Sequence, residues 1–144
     1  MNNQYTIRVY GIILSEENEL LLTNEAYLGV NFTKFPGGGM EWNEGALDTI
    51  RRELKEELNL KNVAVEHFYT TDFFVPSFFD ANTQVISIYY RVTNLLSKTD
   101  IKLRKKDKNL IEARWIKLDK LKESDVTFPI DKHVVKLLKR ELTV

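Results

Sequence analysis

The 144-residue chain contains no cysteine. That absence excludes disulfides, thiol nucleophiles and cysteine-ligated zinc. Histidine is nearly missing as well: His67 and His133 are the only 2, too few for a polyhistidine metal site. Neither sign of charge is in excess, since 21 Lys and Arg balance 21 Asp and Glu. A protein that grips nucleic-acid backbones carries a basic footprint, so no nucleic-acid polymer is expected as a partner. No apolar run approaches the roughly 20 residues of a membrane span, and no membrane partner is expected. The first residues, Met1 to Thr6, lack the basic-then-apolar order of a signal peptide. A cytoplasmic location is the expectation.

What is present is ordinary for a globular α/β chain. The residues are 43% hydrophobic and 29% charged, and the length suits one domain over 1–144. Residues 5–14 are rich in Ile, Val and Tyr, which suits a strand. A turn at 15–18 and the apolar run Leu20, Leu21, Leu22 complete a hairpin. Residues 32–35 form a short strand that stops at Pro36, because proline has no N–H for the ladder. Gly37, Gly38 and Gly39 then form a loop able to approach a ligand closely.

From 45 to 58 the periodicity is helical. Leu47, Ile50, Leu54 and Leu58 make one apolar stripe, with Asn43 as N-cap and Asn59 as the left-handed end residue. Residues 63–75, 84–92 and 113–118 read as strands, with a loop at 80–83. Val134, Val135, Leu137, Leu138 and Leu142 mark an amphipathic helix after Pro129. The basic stretch 102–108, interrupted by Asp107, reads as a solvated loop. No repeat, low-complexity tract or linker divides the chain.

Chemistry concentrates in residues 38–60. Glu53, Glu56 and Glu57 stand at i, i+3 and i+4 of the expected helix, so their carboxylates leave it on one side. Like charges at this spacing repel, and a divalent cation would relieve them. Hard oxygen donors suit Mg²⁺ or Mn²⁺, whose remaining positions are typically filled by water and substrate phosphate. The competing account of these three residues alone is a solvated acidic helix face.

The flanking residues bear on that choice. Gly38, five residues, Glu44, seven residues, then Arg52, Glu53, Leu54, Lys55, Glu56, Glu57, Leu58, Asn59 and Leu60 resemble the Nudix box of the Nudix (MutT-like) hydrolases. With each residue type at roughly one in fifteen, six fixed identities at fixed spacing coincide about once in ten million starts. Asn59 stands where the family usually has glycine, and asparagine tolerates the same left-handed geometry. The Phe35-Pro36-Gly37-Gly38-Gly39 lead-in with Glu41 looks like the family's entry loop. Residues 112–116, followed by Leu118 and Leu121, look like its late strand and short helix.

The resemblance implies an α/β/α sandwich with a mixed central sheet and a Mg²⁺-dependent pyrophosphohydrolase, with Mn²⁺ as a substitute. Glu53, Glu56 and Glu57 would be metal ligands, and Glu53 also the general base. Arg52 would orient Glu53, Glu44 would brace the helix entry, and Gly37 would offer its carbonyl to the metal. Glu112 would add a carboxylate from the opposite wall, with Asp107 as its rival. A homodimer is the family's habit.

The substrate would be a small nucleotide, namely a nucleoside diphosphate linked to another group. Phe35, Phe73, Phe74 and Pro76 are the candidate binding residues, since aromatic faces stack on nucleobases. Core or dimer-interface packing is the alternative for the phenylalanines of this segment. Pro76 resembles the downstream proline of the ADP-ribose-cleaving branch, which favours ADP-ribose or a nucleotide sugar over a nucleoside triphosphate. The pattern of the NADH-cleaving branch is absent. The rival function is a non-catalytic nucleotide-sensing Nudix domain; an isomerase of this fold would bring a catalytic cysteine.

Overall fold

The computed structural model describes residues 2–94, 97–103 and 109–142. Strand β1 (Gln4–Ile12) is an inner strand of the first sheet, which runs in the order β4 (Gly37–Gly39), β1, β6 (Thr83–Val92), β5 (Val65–Thr70). It pairs in parallel with β6 and antiparallel with β4. The outer strand β5 runs antiparallel to β6. The sheet is therefore mixed. A second, antiparallel sheet has the order β3-β2-β7, formed by β2 (Glu19–Tyr27), β3 (Val30–Lys34) and β7 (Leu110–Lys117).

Local chemistry accounts for the joints. Leu28 and Gly29 both take positive φ, 50° and 77°, as a two-residue hairpin between β2 and β3 requires. At Pro36 the chain leaves the second sheet and enters the first. Gly37–Gly39, expected as a loop, is instead an edge strand. Its glycines carry no strand propensity of their own, and the pairing with β1 imposes the extended form.

Two helices cover the sheets. Helix α1 (Ala46–Leu58) buries Ile50, Leu54 and Leu58 against Val9, Ile13 and Leu21. Leu47 departs from the expected stripe and is 43% exposed. Asn43 is not the N-cap; it takes φ 72° in the preceding loop, and Gly45 occupies the cap position. The Gly45 N–H instead finds Asp48 Oδ2 at 2.9 Å, a carboxylate placed to favour the positive helix end. At the other end Asn59 takes φ 57°, and its N–H caps the Lys55 carbonyl.

Helix α2 (Pro129–Glu141) starts on a proline, which loses nothing there because the first helical N–H is unpaired anyway. It buries Ile130, Val134, Val135 and Leu138 in a second core with Tyr10, Leu20, Leu22, Phe35 and Tyr89. The two cores on the two sides of the strands make the expected sandwich. Among the described residues no helix is long and apolar enough to cross a membrane.

Candidate active site

The site grows from the start of α1. Arg52 is its hub. Its Nε donates to Glu44 Oε2 at 2.5 Å, and Nη2 donates to Glu44 Oε1 and to the Gly39 carbonyl, both at 2.9 Å. Nη1 donates to Glu53 Oε1 at 2.9 Å and to Glu56 Oε2 at 3.3 Å. One guanidinium thus ties the edge strand, the helix entry and two helix carboxylates together. Glu44 also accepts from the Glu41 N–H at 3.0 Å and from the Thr49 hydroxyl at 3.1 Å. The Arg52 hydrogen bond, helped by the Glu41 N–H, holds Glu44 down at about 2. It is therefore a permanently charged brace.

Glu57 faces the other way along the row, and its Oε1 accepts from the Gly37 N–H at 3.0 Å. Burial pushes its carboxyl up to about 8, with repulsion from Glu53 and Glu25 adding to the effect and Lys34 opposing it. Lys34 is buried and spends three donors, on Glu25 Oε2 at 2.8 Å, the Phe35 carbonyl at 3.1 Å and the Gly37 carbonyl at 3.2 Å. Burial alone would lower its pKa, but Glu25 and Glu57 outweigh it and the value is raised. The ammonium stays charged.

Among the described residues, no three carboxylates form a closed metal cluster. Arg52 draws Glu53 and Glu56 towards itself, and Gly37 draws Glu57 to the loop. The donor set still fits a hard divalent cation: Glu53, Glu56 and Glu57 offer only oxygen, and a cation would offset the penalty that burial places on the Glu57 charge. Gly38 permits this closeness, because a Cβ there would fall 2.6 Å from Glu53 Oε1.

A cavity of about 580 Å³ opens beside Arg8, Glu25 and Lys34. Phe73, Phe74 and Pro76 line it, together with Phe32, Phe79 and Phe128. The aromatic segment is held along β6 by backbone hydrogen bonds from Ser77 to Thr83 and from Val85 to Val75, both 2.8 Å. Phe79 packs edge-on to Tyr27 with ring centroids 5.1 Å apart. Charged groups also reach the cavity: Arg8, Glu25, Lys34 and Asp131. Asp131 is buried at the start of α2, where the Tyr89 hydroxyl donates to its Oδ1 at 2.5 Å. Burial pushes it up to about 6, against the Tyr89 hydrogen bond and the Lys34 and Arg8 charges.

The profile of the NUDIX domain matches residues 4–138. The chain belongs to the NUDIX family. No curated protein matches this Nudix sequence. Solved structures do match. A MutT from Methanosarcina mazei superposes with a TM-score of 0.77 at 21% identity, over 100% of this chain and 99% of its own. A MutT from a study of Aliivibrio salmonicida and Vibrio cholerae gives 0.71 at 24%, over 95% and 98%. The NUDIX domain of Shewanella oneidensis NrtR, solved with ADP ribose, gives 0.66 at 16%, over 100% and 90%. At these identities the likeness is one of fold.

In this Nudix domain Arg52, Glu44, Glu53, Glu56 and Gly39 share one hydrogen-bond network and Glu57 is tied to Gly37, while Phe73, Phe74 and Pro76 line the cavity. Two sequence expectations need correction. Phe35 is not a cavity wall: it is fully buried and packs edge-on to Tyr89, with centroids 5.5 Å apart. Glu112 does not join the helix carboxylates. Its Oε1 accepts from Asn24, its cross-strand partner. Paired residues share a sheet face and neighbours along a strand alternate, so Glu112 and Glu25 leave opposite faces. Asp107 lies outside the described residues.

Glu25 is therefore the strand carboxylate nearest in effect to Glu57, and sequence reasoning missed it. Arg8, Lys34 and Asp131 were missed too. The available signal was weak: charged side chains placed at inward positions of β1, β2 and β3, whose direction only strand register reveals.

Proposed function

We propose that this Nudix protein is a divalent-metal-dependent pyrophosphohydrolase of nucleoside diphosphates linked to another group, with ADP-ribose or a nucleotide sugar as its foremost substrates. The observation that carries this reading is an aromatic cavity of about 580 Å³ whose wall includes Lys34 and Glu25, the charged groups that act on Glu57 of the carboxylate row. The row suits phosphate-bound cations, and the cavity has the size and stacking faces for a nucleoside. A nucleoside triphosphate is a further candidate substrate.

Glu53, Glu56 and Glu57 would hold Mg²⁺ or Mn²⁺, with the Gly37 carbonyl as an additional donor. Bound there, the cation would neutralise phosphate charge and make water a stronger nucleophile. The chain's own residues do the rest. Water attacks phosphorus, the bond from phosphorus to the bridging oxygen breaks, and the leaving phosphate keeps that oxygen. The Glu53 carboxylate, oriented by Arg52 Nη1, takes the proton from the water. Phosphoryl chemistry depends mostly on positioning and electrostatics, so no covalent nucleophile is needed.

A nucleotide sensor is the second reading, supported by the ADP ribose bound to the NrtR domain of the same fold. A nucleotide panel assayed with Mg²⁺ separates the two, using Glu56→Gln and Glu57→Gln as controls. Metal-dependent turnover lost in both variants is expected. Tight binding without turnover, indifferent to both substitutions, would replace the enzyme with the sensor.

A further inference from the structure

Three cations serve the carboxylate row and the aromatic cavity, Arg52 on the row and Lys34 and Arg8 on the cavity wall, and two of them are spent. Arg52 commits Nε, Nη1 and Nη2 to Glu44, Glu53, Glu56 and Gly39. Lys34 commits its ammonium to Glu25, Phe35 and Gly37. Arg8 differs. Its Nε donates to the Tyr10 hydroxyl at 2.5 Å, and its guanidinium carbon lies 5.7 Å from the Tyr10 ring centroid. Among the described residues, no carboxylate pairs with it and Nη1 and Nη2 have no acceptor.

Its position is as telling as its free donors. Arg8 pairs with Gly39 across β1 and β4, which places it beside the strand that Arg52 grips. It also lines the aromatic cavity. Glu25 and Glu53 act on it electrostatically without reaching ion-pair distance. Arg8 Nη1 and Nη2 are not buried orphan donors, so they stay open at the cavity wall for an incoming anion. Its planar fork matches two phosphate oxygens. The Tyr10 hydroxyl, held by a largely buried ring, fixes the fork's direction.

We propose that Arg8 binds the substrate's phosphate group through Nη1 and Nη2, at the point where the nucleoside leaves the aromatic cavity and meets the carboxylate row. This deepens the proposed function and rests on it. Arg8 would set the register of the substrate, so that the anhydride and not the nucleoside faces Glu53.

The test is isothermal titration of adenosine, AMP and ADP into metal-free protein, which removes the cation's own contribution to phosphate binding. Arg8→Gln is expected to weaken ADP about tenfold or more, to weaken AMP, and to leave adenosine unchanged. Arg8→Lys should recover part of the loss, because it keeps the charge without the fork. Tyr10→Phe keeps the ring and removes the fork's anchor, so it should weaken ADP by less than Arg8→Gln does. Folding of each variant is checked by its melting temperature, and the milder two keep the question open to refutation if Arg8→Gln does not fold. Equal losses for adenosine and ADP would make Arg8 a structural residue and overturn the proposal. So would ADP affinity unchanged in all three variants. A wild type that bound none of the three compounds without metal, or intact ADP binding in Arg8→Gln, would overturn the Arg8 assignment alone; the proposed function falls only if metal-dependent turnover of the nucleotide panel is absent.

Discussion

Glu57 and Gly37 close a loop on themselves: the last carboxylate of the helical row accepts, at 3.0 Å, the N–H of the residue that opens the edge strand. The tie holds Glu57 where burial keeps its carboxyl near 8. A cation favours the ionised form, so loading the site must expel a proton. Apparent metal affinity should rise with pH through neutrality and level off above about 8. Titration of Mn²⁺ at pH 7 in buffers of different ionisation enthalpy would count the protons released. Release should disappear in Glu57→Gln, and a wild type that releases none would contradict the assignment.

The neighbouring glycines predict two different failures. At Gly37 a Cβ would meet the Val9 carbonyl oxygen at 2.1 Å, with φ at 144°. Backbone cannot yield cheaply, so Gly37→Ala should disrupt the β1–β4 pairing and lower the melting temperature. At Gly38 the obstacle is the Glu53 carboxylate, a flexible side chain. Gly38→Ala should keep its melting temperature within a few degrees yet lose turnover by about 10-fold or more, as displaced catalytic geometry does. Melting curves alongside kcat for the two variants would show whether the effects separate this way.

Lys34 and Glu25 form a buried pair, 4% and 14% exposed. Removing one partner of such a pair costs about 3–5 kcal/mol, whereas replacing both is often tolerated. Lys34→Met should therefore be strongly destabilised in urea, and Glu25→Leu with Lys34→Met should regain most of the loss. Equal stability of the single and double variants would show that Glu25 is not the cause.

Asp131 offers a stability prediction with a definite sign. Its folded value of about 6 lies above the ordinary 3.8. The folded state therefore binds the proton more tightly, and this stabilisation is complete at low pH and lost as pH rises through 6. The difference corresponds to roughly 3 kcal/mol. Asp131→Asn should melt higher than the wild type at pH 7.5, with the gap shrinking towards pH 4. A gap that does not change with pH would mean that Asp131 is not the titrating group.

Helix α1 and the side its carboxylates share were legible because a single segment carries both the 3.6-residue stripe and the i, i+3, i+4 spacing of Glu53, Glu56 and Glu57. Asn59 was legible for the same local reason. The edge strand was not, since three glycines hold no extended preference until β1 pairs with them. Asn43 misled because asparagine suits both an N-cap and a left-handed loop position, and here the loop claims it. Phe35 misled because adjacency to the glycines in sequence says nothing of which way its ring points. Arg8, Lys34, Glu25 and Asp131 meet only through register across separate strands and a distant helix, a relation that no window of sequence contains.

The parts of the site are completed at different times during synthesis. Everything from Gly37 to Glu57 is encoded within one short stretch, but the aromatic cavity needs Phe128 and Asp131, which are translated more than seventy residues after Glu57. A nascent chain would thus hold its hydrolytic carboxylates well before it holds any place for a nucleoside. Substrate capture, not the carboxylate row, would be the last competence that the emerging protein acquires.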